Sequence, residues 1–253
     1  MSAIGIIPAR YASQRLPQKP LQLLCGKPLV QWVWEAACAA PSLQRVLVAT
    51  DHEEIATVCR RFGADVVMTP SDVPSGTDRV ALVCERFQLT ADIVVNLQAD
   101  EPLLRAEHIE TLLSALRLHP SWDAATLVQP LRQHDELFSP AVVKVVLRHD
   151  GSALYFSRSP IPFVRDAPVE EWLGRATFWK HVGIYAYRMP ILHRFRQLPP
   201  SPLERAEGLE QLRLLEAGVQ FGCVCVEDTL MGVDTPEQLN AVRLLVQQQG
   251  GCR

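Results

Sequence analysis

The residues best suited to chemistry stand near the start of the chain. There the apolar run Ile4 to Ile7 breaks at Pro8 into Ala9-Arg10-Tyr11-Ala12-Ser13-Gln14-Arg15-Leu16-Pro17-Gln18-Lys19-Pro20. Arg10, Arg15 and Lys19 place three cations within ten residues, with no acidic residue among them. If they converge they need an anion, and a polyphosphate supplies one through charge-assisted hydrogen bonds. The preceding apolar run reads as a buried strand, and ligands of open α/β sheets bind beyond the carboxyl ends of such strands. Three solvated side chains on an exposed loop are the alternative, and spacing alone leaves it open.

A second set follows the strongly apolar segment Asp92 to Leu97, where Gln98-Ala99-Asp100-Glu101-Pro102 brings two carboxylates to the end of a strand. Mg²⁺ takes carboxylates together with substrate phosphates and waters, so Asp100 opposite a cationic loop makes chemical sense as a ligand. It would equally serve as a solvated or capping residue. Asp234, just before Thr235-Pro236, sits where the positive end of a helix favours an anion for structural reasons. Only convergence with Asp100 would make it a metal ligand. Ser75-Gly76-Thr77-Asp78-Arg79 is a turn feeding a helix, and the prolines after Tyr155-Phe156-Ser157-Arg158 stiffen the backbone beside an arginine. Arg158 then suits either carboxylate recognition or a surface ion pair. Neither G-x-x-x-x-G-K-[ST] nor G-x-G-x-x-G occurs, so phosphates would be held by another arrangement.

Elements able to position these residues alternate along the first half. Strands are predicted at Ile4 to Ile7, Arg45 to Ala49, Asp65 to Met68 and Asp92 to Leu97. Helices are predicted at Leu29 to Ala39, Glu53 to Phe62, with Asp51 as cap, and Asp78 to Phe87. This alternation specifies a parallel sheet with helices on both faces. Beyond Leu118 strands follow without intervening helices (Ala124 to Val128, Val142 to Leu147, Ala153 to Phe156, Val182 to Tyr187), which predicts antiparallel additions. Ser201-Pro202-Leu203-Glu204 opens one helix running to about Ala217, and Thr235-Pro236-Glu237-Gln238 opens the last. The tail from Gln247 is expected to fray.

The 253 residues, 48% hydrophobic, can bury a large core, and a net charge of −3 gives no global basic excess for nucleic acid. No apolar run reaches the roughly 20 residues of a membrane span, and the start shows neither a charged leader nor a cleavage site, which predicts a cytoplasmic protein. Seven cysteines at scattered positions, Cys38, Cys59 and Cys84 inside apolar segments, suit buried thiols better than a disulfide framework. Cys223 and Cys225 are placed on one face of a strand, and the seven histidines lack metal-ligand spacing.

Taken together in order, the segments IPARYASQRLPQKPL, VATDHEEIA, SGTDRVA, VVNLQADEPLL, KVVLRHDGSALYFSRSPIPF, KHVGIYAYR, SPLERAEGLEQLRLLEAG and GVDTPEQL resemble the 3-deoxy-manno-octulosonate (Kdo) cytidylyltransferase family. The resemblance covers nearly the whole chain. It implies an α/β, Rossmann-like nucleotidyltransferase fold: a mostly parallel sheet with helices on both faces and a smaller antiparallel dimerisation region. It implies a single domain over 1–253, with the antiparallel sub-region at about 124–188, and a homodimer. The implied reaction transfers CMP from CTP to Kdo, releasing pyrophosphate, for lipopolysaccharide biosynthesis. The same chemistry on an amino-substituted Kdo or a sialic acid, and a nucleotide binder without turnover, are the alternatives.

Carried over by position, the resemblance implies that Ala9, Arg10, Ser13, Arg15 and Lys19 hold the nucleotide, joined by Ser75, Gly76 and Arg79. Lys19, Asp100 and Asp234 would be the catalytic set, with Asp100 and Asp234 holding Mg²⁺. Gln98, Arg158, His181, Tyr185, Glu210 and Gln211 match the sugar-binding positions, although His181 and Tyr185 would also suit a strand edge packed on the core. Two positions depart from the pattern: Gln18 and Ala99 stand where glycine is customary. A glycine there provides either a positive φ or room for close approach.

Overall fold

The computed structural model describes residues 1–13 and 15–248. Its contacts separate two compact units, Met1–Leu113 with the segment from Thr229 onward, and Ser114–Asp228. The second is wider than the sub-region at 124–188, because the helices and strand up to Cys225 belong to it.

The first unit opens with β1 (Ala3–Ala9), buried at every position, as a parallel strand covered on both faces must be. A hairpin of β2 (Leu23–Leu24) and β3 (Lys27–Pro28) follows. Then come α1 (Leu29–Cys38), β4 (Leu43–Thr50), α2 (Glu53–Arg61) and β5 (Asp65–Met68). The alternation continues through α3 (Gly76–Arg86) and β6 (Ile93–Asn96), and α4 (Ala106–Leu118) begins here. The strands β6, β1, β4 and β5 lie side by side and parallel, with Ile6 opposite both Leu47 and Asn96. Because β4 joins one side of β1 and β6 the other, the winding reverses at β1, and a crevice opens beyond the carboxyl ends of β1 and β6.

One cap differs from expectation. His52, not Asp51, caps α2, its Nδ1 accepting from Glu54 N at 3.3 Å. Asp51 is drawn away because its carboxylate accepts from Tyr11 N and from Arg79.

In the second unit β7 (Ala124–Pro130) is followed by α5 (His134–Phe138), β8 (Lys144–Leu147), β9 (Ala153–Ser157) and α6 (Trp172–Arg175). Next come β10 (Trp179–Arg188), α7 (Met189–Gln197), α8 (Pro202–Glu207), α9 (Gln211–Glu216) and β11 (Phe221–Cys225). The predicted antiparallel additions are present: β7 pairs antiparallel with β10 and parallel with β11, and β8 pairs antiparallel with both β10 and β9. Gly222 lies under the Trp122 indole so closely that a Cβ would come within 1.7 Å of the ring.

The single helix expected from Ser201 to Ala217 is two helices. Ser201 and Glu204 form a full capping box, but Gly208 takes a left-handed φ of 62° and ends α8. Glu210 consequently caps α9 instead of lying inside a helix.

The last helix, α10 (Pro236–Gln248), belongs to the first unit. Its Leu239, Val242 and Val246 pack with Leu16, Leu24, Leu29 and Val233. Gln247 and Gln248 are helical, and the rest of the tail lies outside the described residues.

The cysteines divide. Cys59, Cys84 and Cys223 are buried, and burial pushes each thiol up to about 12. Cys38 is exposed because the helical period that buries Ala37 turns its neighbour outward, and Cys225 is exposed at the end of β11. Cys25 is disulfide-bonded, contrary to the expectation of thiols throughout. Among the described residues, no helix is long and apolar enough to cross a membrane.

Candidate active site

Beyond the carboxyl ends of β1 and β6 lies a recess of about 170 Å³, lined by Arg10, Ser13, Lys19, Gly76, Gln98 and Asp100, among others. The loop after β1 brings the cations, and the turn after β6 brings Gln98, Ala99 and Asp100. Lys19 Nζ donates to Asp100 Oδ2 and, at 2.9 Å, to Asp234 Oδ1. Arg15 Nη2 donates to Asp234 Oδ2 at 3.0 Å. The convergence required of Asp100 and Asp234 is therefore present, centred on Lys19. Val233 N, donating to Asp100 O at 2.8 Å, ties together the two segments that carry these carboxylates. Gln238 Oε1 holds the turn before α10 by accepting from Asp234 N and Thr235 N. Burial disfavours the Lys19 charge, but Asp100 and Asp234 outweigh it and raise its pKa above the usual 10.5.

The other residues assigned to the nucleotide separate into two groups. Arg10 Nη1 donates to Pro74 O at 2.9 Å, which keeps the guanidinium at the start of α3. Ala9 is buried as the last residue of β1 and offers only backbone. Ser75 caps α3, its hydroxyl accepting from Asp78 N at 3.1 Å and donating to Asp78 Oδ2 at 2.6 Å. Gly76 lies against Pro8 and Gln98, where a Cβ would make ordinary contacts of 3.5 and 3.7 Å. Arg79 does not line the recess. It is fully buried, with Nη2 on Asp51 Oδ2 at 3.0 Å and Nη1 on the Thr69 hydroxyl and Pro70 O. Its position one helical turn after Gly76 points it into the core. Burial lowers its pKa despite the Asp51 carboxylate.

The two glycine-pattern departures have different meanings. Gln18 adopts φ 51° and ψ 37°, the left-handed region, where a side chain costs about 1–2 kcal/mol. Ala99 has no positive φ and is buried on the wall of the recess. At Ala99 only space is at issue.

Of the residues assigned to the sugar, Gln98 belongs to the recess, its amide donating to Asn96 Oδ1 at 3.3 Å. The others lie in the second unit. His181 and Tyr185 would stand about 13 Å apart along a regular strand. The irregularity in β10 between Val182 and Tyr185 shortens this, so that His181 pairs with Val128 and Tyr185 with Thr126. Their rings come to 5.3 Å. The His181 Nε2 and Thr126 Oγ1 atoms are 3.0 Å apart, and burial holds the imidazole down to about 3, neutral at physiological pH. Burial also raises the Tyr185 phenol well above 10, with Tyr187, Glu210 and Cys223 adding to the effect. Arg158 serves the backbone: Nε donates to Glu207 O at 2.6 Å, Nη1 to Pro140 O at 2.8 Å and Nη2 to Gly208 O at 3.3 Å. Gln211 is buried at the start of α9, next to the capping Glu210.

Comparison with known proteins is decisive here. The family model described as cytidylyltransferase matches residues 4–221. The 3-deoxy-manno-octulosonate cytidylyltransferase of Acidobacterium capsulatum is 45% identical over 97% of this chain and 97% of its own. The enzyme of that name from Pseudomonas fluorescens is 47% identical over 96% of this chain and 97% of its own. This chain belongs to the 3-deoxy-manno-octulosonate cytidylyltransferase family. A solved structure described as CMP:2-keto-3-deoxy-manno-octonic acid synthetase complexed with CTP superposes with a TM-score of 0.90. It is 44% identical and covers 98% of this chain and 100% of its own. A cytidylyltransferase structure from Leptospira borgpetersenii, 14% identical with a TM-score of 0.63 over 98% of this chain and 87% of its own, shares the fold.

Two residues of this cytidylyltransferase that the sequence reading did not single out organise the second unit. Lys144 is fully buried and donates to Ser139 O at 2.9 Å, Val142 O at 2.7 Å and Arg158 O at 2.5 Å. Burial, then the nearby Arg158 charge, lower its pKa to about 8 against the pull of Glu207. The sequence did carry a signal, a lone lysine inside the apolar run Val142 to Leu147. Glu207 accepts from Ser157 Oγ at 2.6 Å and Arg158 N at 2.9 Å. No pattern marks it, because its partners lie on a distant strand.

Proposed function

We propose that this cytidylyltransferase transfers CMP from CTP to the 2-hydroxyl of Kdo and releases pyrophosphate. The observation that carries the reading is the recess where β1 and β6 end, with Arg10, Lys19 and Asp100 on its wall, in a chain of this family. The sugar hydroxyl oxygen attacks the α-phosphorus in line, and pyrophosphate leaves from the opposite side. Arg10, Ser13, Arg15 and Lys19 bind the triphosphate, and Lys19 stabilises charge as it builds on the phosphate oxygens. Ser75 and Gly76 present the N-terminus of α3, whose amides favour an anion. Arg79 acts at a remove, holding α3 to Asp51.

Asp100 and Asp234 fit a hard divalent ion, since both carboxylates reach one cation, the Lys19 ammonium. No group of three His, Cys, Asp or Glu residues forms a cage among the described residues. That donor set suits Mg²⁺, which completes its shell with phosphates and waters. Bound there, Mg²⁺ would neutralise triphosphate charge and acidify the sugar hydroxyl.

In the second unit, Arg158, His181, Tyr185, Glu210 and Gln211 take the acidic sugar. Three of the five guanidinium N–H donors of Arg158 already serve carbonyls, leaving two for the sugar carboxylate. A neutral His181 binds by hydrogen bonding and carries no charge to the sugar. The exposed Phe138, Phe163 and Val169 support pairing of two copies through the second unit, which sedimentation equilibrium tests.

Incubating the purified protein with Mg²⁺, Kdo and each nucleoside triphosphate in turn, and following pyrophosphate, tests the reaction. Release with CTP and dependence on Kdo are expected. Equal release from other triphosphates, or none with Kdo present, overturns it.

A further inference from the structure

Gln18 occupies a backbone conformation that glycine would adopt without strain, yet its side chain is engaged. Its Nε2 donates to the Tyr11 hydroxyl oxygen, and that hydroxyl donates onward to Glu54 Oε2 at 3.0 Å. The Tyr11 ring stacks on His52, with centroids 3.5 Å apart and planes 16° from parallel. Its backbone N–H donates to Asp51 Oδ1 at 3.0 Å. Tyr11 is thereby gripped at its amide by Asp51, at its ring by His52 and at its hydroxyl by Glu54, all around the start of α2. Gln18 fastens the far end of the loop to that same hydroxyl. The segment so closed carries Ser13 and Arg15, and Lys19 follows immediately.

We propose that Gln18 and Tyr11 form a clasp that holds the loop from Arg10 to Lys19 in its nucleotide-binding shape, making Gln18 a positioning residue of this chain. A left-handed backbone without a glycine is disfavoured, and the side-chain bond to Tyr11 is what the glutamine supplies that glycine lacks. Both ends of the loop carry cations assigned to the phosphates, so closing it lowers the conformational cost of gathering them around the triphosphate. The proposal rests on the reading of this loop as the nucleotide site.

Three variants test it. Gln18→Met keeps the length and removes the donated hydrogen bond, Tyr11→Phe keeps the stack and removes the hydroxyl, and the third combines them. Calorimetric titration with CTP is expected to show Kd raised about threefold to tenfold in Gln18→Met, the range one hydrogen bond spans, and at least as much in Tyr11→Phe, which also loses the bond to Glu54. The combined variant is expected to be no weaker than the worse single one, because both remove the same contact. Without nucleotide, tryptic cleavage after Arg15 is expected to quicken in all three, while the thermal midpoint of the domain moves by no more than about 2 °C, as for a surface change of a few tenths of a kcal/mol. Rescue of Kd by Gln18→Asn is not expected, as its side chain is shorter by one methylene. Unchanged Kd and unchanged cleavage in Gln18→Met overturn the clasp, as do losses that multiply in the combined variant. If the parent protein fails to bind CTP, the nucleotide reading fails and the clasp as a nucleotide-positioning device fails with it. Faster cleavage would then show the link to be structural only.

Discussion

Lys19 Nζ donates to Asp234 Oδ1 at 2.9 Å while also donating to Asp100. One ammonium thus joins carboxylates from the turn after β6 and the turn before α10. Lys19 at 19% exposure and Asp100 at 21% are largely withdrawn from water, and the two carboxylates hold the charge of the ammonium against its burial.

Replacing Lys19 by methionine leaves the two carboxylates to repel each other and removes a cation from the phosphates. The expected outcome is a kcat about a hundredfold lower, in the range found when one electrostatic donor to a transition state is lost, with weaker CTP binding. Rapid-quench measurement of pyrophosphate release, beside a CTP titration, checks both. Because the Lys19 pKa is raised, its contribution to stability is present below the unfolded value near 10.5 and is lost only as pH rises through the higher folded value. Activity changes between pH 6 and 9 are therefore expected to persist in shape in a Lys19→Arg protein.

Arg79 and Asp51 form a pair at 3.0 Å with side chains 0% and 7% exposed. Arg79→Met leaves Asp51 buried without its cation, and a loss of about 3–5 kcal/mol in stability is expected. Urea unfolding measures it. At a temperature where the variant remains folded, its Kd for CTP is expected to stay within about threefold of the parent, since Arg79 stands off the recess. A large loss of affinity with unchanged stability would place Arg79 at the nucleotide after all.

His181 is held neutral, its pKa lowered from 6.5 to about 3 by burial. Between those values the unfolded chain binds a proton that the folded chain refuses, so stability rises with pH through this window and levels off above 6.5. His181→Gln is expected to lose less stability than the parent between pH 7 and pH 4.5, by about 1 kcal/mol or more. Urea midpoints at the two pH values decide it, and the His181 ring proton resonances should show no titration from pH 8 to 5.

Arg158 is the group assigned to the sugar carboxylate, with three N–H donors already on Glu207, Pro140 and Gly208 carbonyls. Lysine offers a point charge where arginine offers a planar fork. Arg158→Lys is expected to raise the KM for Kdo about tenfold and lower kcat, with little change in the Kd for CTP. Steady-state kinetics in each substrate separates these. A loss confined to CTP would move Arg158 to the phosphate side.

Local patterns in the chain determined much of the first unit: the alternation that makes a parallel sheet, the cap at Thr235, and the cations and carboxylates at strand ends. Such features are readable because they depend on neighbours a few residues away. The helix break at Gly208 was local too, but a glycine inside a polar helical pattern does not by itself declare a left-handed φ. What only tertiary structure decided is which charges meet. The sequence places Arg79 beside Ser75 and Gly76 exactly as it places a ligand-binding residue, and only the packing of α3 sends it to Asp51 in the core. Asp100 and Asp234 become one cluster because the end of β6 and the start of α10 come to the same point in space, and His181 reaches Tyr185 because β10 is irregular where it passes Thr126. Burial, which depends on everything packed around a residue, then keeps His181 neutral and raises the Tyr185 phenol well above its usual value.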